Sequence, residues 1–387
     1  MSDPSMLRLR FDRRTVLTAT AAAAASLVVE ATSDGGTARA GAKPAGRRIR
    51  AWEIGPGSAA EPLTLRQVER PAPVPGPGEV VMRVRATGLI ARDSSLMRGS
   101  YSGGRVPERI PLSDNAGEVL ALGPGVTRVQ VGDRVTSTHF SRWIDGEWDA
   151  AMLQYDRSVN VDGYLCEQTL VPADALVKIP DGMSFAAAST LQSAALTAWR
   201  GLVVEGHVKA GEVVLVLGTG GVSLFGLQLA KVNGASVIVT SSSDDKLERA
   251  RQLGADLAIN YRSTPDWDRK VLELTAGHGA DVVLNTVGYT ELERCLLACA
   301  NNARLVHIGS GKAQAPFTAL PNLMVRNVTL KGITVGSRRM FEDLVKAVVV
   351  NRIAPVIDRV FPFEQALEAV RYFESRERFG KVVIEVA

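Results

Sequence analysis

The chain carries two different rhythms of apolar and polar positions. From about residue 185 onward, short continuous apolar runs alternate with longer stretches of helical spacing. Val213-Val214-Leu215-Val216-Leu217 holds no polar position, as a strand covered on both faces requires. The spacing then predicts a helix over 222–233, a strand at 237–239, a second helix over 246–253, and strands at 256–260, 281–285 and 304–308. Strands alternating with helices imply right-handed crossovers and a parallel sheet. Before residue 175 the pattern is one of short strands between Pro and Gly turns. A turn at 71–78 precedes a partly alternating strand at 80–86, and further runs follow at 117–123 and 132–135. Residues 140–165 keep no period and predict an irregular lobe. A helix at 363–374 and a strand at 381–386 come after residue 336. The order is β-rich, then α/β, then a return, so the fold class is α/β with two domains and no internal repeat.

The first forty residues follow neither rhythm. Leu7-Arg8-Leu9-Arg10-Phe11-Asp12 leads into Arg13-Arg14, an Ala-rich apolar stretch runs over 15–29, and a Ser/Gly/Thr segment ends in Ala38-Arg39-Ala40. A basic start, a short apolar run and an A-x-A end are the three parts of an export signal. The run is too short to span a bilayer, and the arginine pair before it resembles the twin-arginine signal. Residues 1–40 are therefore expected to direct a folded protein to the periplasm or outside the cell. The alternative is an N-terminal extension, or a start codon placed too early, on a cytoplasmic protein. In either case the fold is expected to begin near Arg47.

Composition narrows the function classes. Hydrophobic residues make up 46% and charged residues 22%, enough for a sizeable core. The net charge is +4 and the basic residues form no stripe, so no nucleic-acid partner is expected. Cys166, Cys295 and Cys299 make no CxxC pair, and neither they nor His139, His207, His278 and His307 have metal-ligand spacing. Cys295 and Cys299 fall four apart in an expected helix, on one face.

The stretch Leu217-Gly218-Thr219-Gly220-Gly221-Val222-Ser223 joins an apolar strand to a helix. Gly218 allows the tight turn and Gly220 lets a pyrophosphate approach the backbone. The helix opening at Gly221 and Val222 offers free N–H groups to phosphate, and Ser223 is small enough for close helix–strand packing. This points to a dinucleotide. The end of the second strand reads Thr240-Ser241-Ser242-Ser243-Asp244-Asp245-Lys246. An NAD site places a carboxylate at the strand end. Ser241 and Ser242, with Lys246 nearby, instead suit a 2′-phosphate, so NADPH is expected. The alternative is that Asp244 or Asp245, about three residues late, holds the ribose of NADH.

Together with Leu196-Thr197-Ala198-Trp199, Leu253-Gly254-Ala255-Asp256, Ile259-Asn260-Tyr261, Val335-Gly336-Ser337-Arg338 and Phe379-Gly380-Lys381-Val382-Val383, these stretches make the chain similar to the medium-chain dehydrogenase/reductase superfamily. The likeness runs from about residue 49 to 387 and is to the zinc-independent branch of quinone oxidoreductases and alcohol dehydrogenase-like proteins. It implies a GroES-like β domain over 47–175, a Rossmann doubly wound parallel sheet domain binding NADPH over 176–336, and a return to the first domain over 337–387. It also implies a homodimer joined through the Rossmann sheets, and further cofactor contacts from Thr197, Tyr261, Gly309 and Lys381.

Zinc members of the family use two cysteines and a histidine. The likeness sets Ile90, Ser113 and Ser193 at those positions, so no metal is expected. Relatives in this branch often carry Asn and Tyr where this chain has Ile90 and Ala91, which takes away two polar groups beside the nicotinamide. The implied reaction is hydride transfer from NADPH to a quinone, enone or related carbonyl, with Thr197, Ser193 and Arg92 as candidate donors to the developing oxyanion. The alternatives are an NADP-dependent alcohol/aldehyde oxidoreductase and a non-enzymatic NADPH-binding protein.

Overall fold

A computed structural model describes residues 46–386, apart from 59–60, 62, 102–103, 105 and 311–318. The export signal expected in residues 1–40 lies outside the described residues. Strands β1 (Arg48–Ile54) and β2 (Leu65–Pro71) form an antiparallel pair. Strand β3 (Glu79–Gly88) sends Val80, Met82 and Val84 into a core while Arg83 and Arg85 stay half-exposed, which is why its alternation was only partial in sequence. Helix α1 (Ala91–Met97) follows, then β4 (Ala116–Leu122), β5 (Arg134–Ser137), β6 (Gln168–Pro172) and β7 (Leu176–Lys178). Between β5 and β6 the irregular lobe holds one 3-10 turn, Ala150–Tyr155.

Short helices α2 (Phe185–Ala188) and α3 (Leu196–Trp199) bridge to the second sheet, with π-helical turns at Leu191–Ala195 and Arg200–Val204 around α3. That sheet is built from β8 (Val213–Leu217), α4 (Gly221–Val232), β9 (Ser236–Ser241), α5 (Asp244–Gln252), β10 (Leu257–Asn260), α6 (Trp267–Leu274) and β11 (Ala280–Asn285). It continues through α7 (Leu292–Ala298), β12 (Cys299–His307), α8 (Pro321–Val325) and β13 (Thr329–Gly332). All its pairings are parallel, in the order β10-β9-β8-β11-β12-β13. This is the doubly wound order, which opens a crevice beyond the carboxyl ends of β8 and β11. Val214 and Val216 of β8 enter one core and Leu215 and Leu217 the other, which accounts for the unbroken apolar run.

Helix α9 (Arg338–Val350) packs Phe341, Leu344 and Val348 into the same core as Leu196 and Val214. Strand β14 (Ile357–Pro362), helix α10 (Ala366–Glu374) and strand β15 (Lys381–Glu385) then rejoin the first sheet, whose order is β14-β15-β3-β4-β5-β7 with β6 also on β3. The crossings between sheets thus fall after Lys178 and before Ile357, where the sequence reading put them at 176 and 337. The apolar face of α9 fits the second core, so that segment stays with the Rossmann domain. Cys299 also differs from expectation. The helix ends at Ala298, Cys299 opens β12, and its thiol donates to the Cys295 carbonyl at 3.1 Å. Among the described residues no helix is long and apolar enough to cross a membrane.

Candidate active site

The glycine loop sits at the carboxyl end of β8. Gly218 has φ +76°, a left-handed conformation that glycine adopts without strain. Its N–H donates to Thr240 Oγ1 at 3.2 Å, tying the loop to β9. The first bond within α4 runs from Leu224 N to Gly220 O, so the N–H groups of Gly221, Val222 and Ser223 have no helical partner and face the crevice as an anion site. The Ser223 hydroxyl donates to Leu217 O at 2.7 Å and draws the helix onto the strand. Beside the loop lies a cleft of about 290 Å³ lined by Leu217, Gly218, Thr240, Tyr261, Trp267 and Arg294 among others. The Ile308 and Gly309 amides both donate to Asn285 O, which fixes Gly309 at the crevice edge of β11.

At the end of β9 Ser241 is buried, and its hydroxyl accepts from the Ser243 amide at 3.4 Å. Ser242 beside it is half-buried. Asp244 accepts from Asn260 Nδ2 at 2.9 Å. Lys246 does not extend free into solvent. Its Nζ donates to Arg376 O at 2.6 Å, and burial, with the Arg378 and Arg249 charges, holds its pKa below the usual lysine value. Burial and Arg376 lower the pKa of Arg378 in turn. The strand end therefore combines serine hydroxyls with a crowded group of cations.

On the other side of the loop a buried hydrogen-bonded chain forms. The Ser193 hydroxyl donates to Gln192 Oε1 at 2.6 Å and lies 3.4 Å from His139 Nδ1. His139 Nε2 is 3.1 Å from Asp156 Oδ1, and Arg92 grips the same carboxylate at 2.7 and 2.8 Å. Burial first, and then Arg92, lower the pKa of His139, against the opposing pull of Asp156. Burial pushes the Asp156 carboxyl up, but His139 and Arg92 outweigh it and hold its pKa low. Ser193 N donates to Asp114 Oδ1 at 3.1 Å, and Asp114 Oδ2 receives Lys381 Nζ at 2.6 Å. The Lys381 stem runs under the glycine loop, where a Cβ on Gly221 would meet Lys381 Cδ at 2.7 Å and Ala194 Cβ at 3.1 Å. The phosphate cradle and the serine are thus joined through two buried side chains.

An alcohol dehydrogenase GroES-like domain model matches residues 76–181, and a zinc-binding dehydrogenase model matches 221–349. A zinc-type alcohol dehydrogenase-like protein of Schizosaccharomyces pombe is 38% identical over 319 residues, covering 80% of this chain and 91% of its own. The chain belongs to the medium-chain dehydrogenase/reductase superfamily. It is an alcohol dehydrogenase-like oxidoreductase of that superfamily, built from a GroES-like and a Rossmann-like domain. Among solved structures, an NAD-dependent alcohol dehydrogenase superposes with a TM-score of 0.79 at 32% identity, covering 87% of this chain and all of that one. A thermostable alcohol dehydrogenase from Pyrobaculum aerophilum gives 0.75 at 27%, covering 88% and 100%.

The family implies a zinc ion and a nicotinamide nucleotide. The positions that the sequence likeness matches to zinc ligands hold Ile90, Ser113 and Ser193, an apolar side chain and two hydroxyls, which do not make a zinc donor set. Among the described residues no three His, Cys, Asp or Glu side chains gather to hold a metal. Ser113 Oγ, Asp93 Oδ1 and Gln192 Nε2 are buried without a hydrogen-bond partner. Asp93 Oδ2 accepts from Ile90 N at 2.9 Å, and burial pushes its pKa up to about 7. The nucleotide, in contrast, fits. The α4 amides are open, a Cβ at Gly220 would meet nothing within 4 Å, and the cleft is lined by Gly218 of the same loop.

The site residues anticipated in sequence divide in three ways. Gly218 and Tyr261 line the cleft, Gly220 caps α4 and Gly221, Val222 and Ser223 form its first turn, Ser241 ends β9 with Ser242 next, and Gly309 follows β12 with its amide on Asn285 O. Thr197 is buried one turn beyond Ser193 in α3. Arg92 and Lys381 need correction. Arg92 was expected to donate to a substrate oxyanion, but its guanidinium is spent on Asp156 and the Arg157 carbonyl. Lys381 was expected to contact the cofactor, but its ammonium is held by Asp114 and Leu89 O, so only its stem serves the loop. His139, Asp156, Gln192 and Asp114 were missed. Sequence offers no period or spacing that joins them.

Proposed function

We propose that the chain is an NADPH-dependent oxidoreductase that works without zinc and delivers hydride to a quinone, enone or related carbonyl acceptor. What supports this reading is an open set of α4 amides at the glycine loop, together with Ile90, Ser113 and Ser193 at the positions that the family likeness matches to zinc ligands. The cofactor, when bound, supplies hydride chemistry. The chain's own residues do the rest. The Gly221–Ser223 amides bind the pyrophosphate, Tyr261 and Trp267 wall the adenosine, and Ser241 with Lys246 meets the 2′-phosphate. Lys381 and Asp114 set the height of Ser193 beside the ring.

The test is cofactor consumption by purified enzyme with quinones, enones and aldehydes, alongside metal analysis. Turnover with NADPH and no stoichiometric zinc supports the reading. Tightly held zinc whose removal abolishes turnover overturns it, and tight NADPH binding without turnover on any acceptor leaves a binding protein. A second reading, alcohol oxidation with NADP, is favoured by one observation: a neutral His139 beside Ser193 is a base, and the relatives above are named alcohol dehydrogenases. We also propose export by the twin-arginine route. An Arg13→Lys, Arg14→Lys variant followed between cell fractions tests it, and a wild type that stays cytoplasmic with its N-terminus intact sinks it.

A further inference from the structure

Zinc in a dehydrogenase does two things at one place: it polarises the substrate oxygen and eases its proton on or off. One member of the buried chain from Gln192 to Arg92, Ser193, stands at a position that the family likeness matches to a zinc ligand. It is one residue from Ala194, which touches the glycine loop. The π-helical turn Leu191–Ala195 widens the backbone there, as such turns often do at functional sites, and presents Gln192 and Ser193 together. The Ser193 hydroxyl hydrogen has two acceptors, Gln192 Oε1 and His139 Nδ1. Asp156 at Nε2 fixes the other ring proton on that nitrogen, so in the neutral ring Nδ1 points an unshared pair at Ser193. Arg92 locks the carboxylate from behind, and Phe140 meets the imidazole edge-on at 4.7 Å. The Gln192 Nε2 amide is buried without a partner beside the serine, a free donor for an oxygen entering the site.

We propose that Ser193, His139 and Asp156 form the proton relay of this enzyme, with Ser193 touching the substrate oxygen. The proposal rests on the oxidoreductase reading above and narrows its substrate to a carbonyl whose oxygen leaves as a hydroxyl: an aldehyde, a ketone or a quinone. In reduction, hydride arrives at the acceptor carbon and the carbonyl π pair moves onto oxygen. The Ser193 Oγ–H bond breaks as its proton forms the product O–H, and Nδ1–H of the charged His139 ring replaces it. The ring is left neutral, still donating from Nε2 to Asp156, and takes its next proton from solvent. Oxidation of an alcohol runs the same transfers backwards. Ser193 is the catalytic residue, and His139 and Asp156 are positioning residues behind it. The charged groups facing the ring are Arg92, Asp156 and Asp114. Because burial and Arg92 favour the neutral ring, reduction should slow and oxidation should quicken as pH rises through its titration.

The experiment uses the full-length enzyme with NADPH and three acceptors: benzaldehyde, cyclohexenone and 1,4-benzoquinone. Ser193→Ala should lower kcat by about 100-fold or more, the usual range for losing a proton donor, with cofactor affinity unchanged. The pH dependence should flatten, and Ser193→Thr, which keeps the hydroxyl, should recover most of the rate. Independently of activity, ¹⁵N-imidazole spectra of the cofactor-free protein, assigned with His139→Gln, should show the Nε2–H tautomer. Asp156→Asn should shift that signal. Turnover that survives Ser193→Ala with the wild-type pH profile, or an Nδ1–H tautomer in the wild type, overturns the relay alone. Absence of turnover by the wild type with every acceptor overturns the oxidoreductase reading, and the relay with it.

Discussion

Lys381 donates its ammonium to Asp114 across 2.6 Å, with both side chains almost wholly buried. One partner lies in the turn before β4 and the other opens β15, so the pair ties together the early and late halves of the first domain. Removing one member leaves a buried charge unmatched, whereas removing both does not. Lys381→Met should cost about 3–5 kcal/mol of stability. The double variant Asp114→Leu, Lys381→Met should recover most of that loss, falling short by the bond from Ser193 N. Urea unfolding of the three proteins checks this, and equal losses in single and double variants would show that the pair is not coupled.

Asp93 makes stability depend on pH in an unusual direction. Burial raises its carboxyl from 3.8 to about 7. Between these values the folded chain keeps a proton that the unfolded chain has given up. Stability from this group is therefore full below pH ~4, falls as pH rises and is gone above the folded value. Asp93→Asn keeps an acceptor for Ile90 N and never ionises. It should be the more stable protein at pH 8, by on the order of 1–4 kcal/mol, and should lack the decline between pH ~4 and 7. Identical pH dependence in variant and wild type would remove the assignment.

Cofactor choice should follow the strand end of β9. Ser241→Asp would set a carboxylate against a 2′-phosphate and offer a partner to a 2′-hydroxyl. Lys246→Ala would remove a charge-assisted contact worth roughly 1.5–3 kcal/mol, or about ten- to a hundredfold in NADPH affinity. NADH binding should hardly change in the second variant. To reach the phosphate, Lys246 must leave the Arg376 carbonyl. Fluorescence titration of both cofactors decides the matter. Equal wild-type affinity for NADH and NADPH counts against the assignment.

Strand β13 has β12 on one side and is exposed along its length, and α8 beside it exposes Met324 and Val325. We propose that this edge meets a second copy of the chain. Met324→Asp with Val325→Asp should turn a dimer into a monomer by light scattering without changing the circular dichroism spectrum. A monomeric wild type would dismiss the proposal.

Legibility in sequence followed locality. The β8–α4 loop was readable because its strand, glycines and helix are consecutive, each with its own signature. Ser193 was readable only through the family likeness, since no local pattern marks it. His139 lies 54 positions from Ser193. It reaches the serine because the aperiodic lobe folds Asp156 back against Phe140. An isolated histidine and an isolated aspartate in such a lobe carry no period to betray a shared purpose. Arg92 and Lys381 were assigned through the family likeness alone, and nothing local in sequence shows that each has a buried carboxylate to satisfy.

The 267 positions between Asp114 and Lys381 bear on how the molecule comes into being. During synthesis β3 and Asp114 leave the ribosome long before β15 exists, and the whole Rossmann domain must emerge between them. Early-made segments tend to fold as units as they appear, but this first sheet then waits with the edge of β3 that belongs to β15 unmatched and a buried carboxylate lacking its cation. The nucleotide cradle gains its floor only when the two halves of the first domain meet. A nascent chain therefore holds an incomplete first sheet for most of its elongation. That interval, more than the finished fold, is when the protein is most exposed to chaperones and to aggregation.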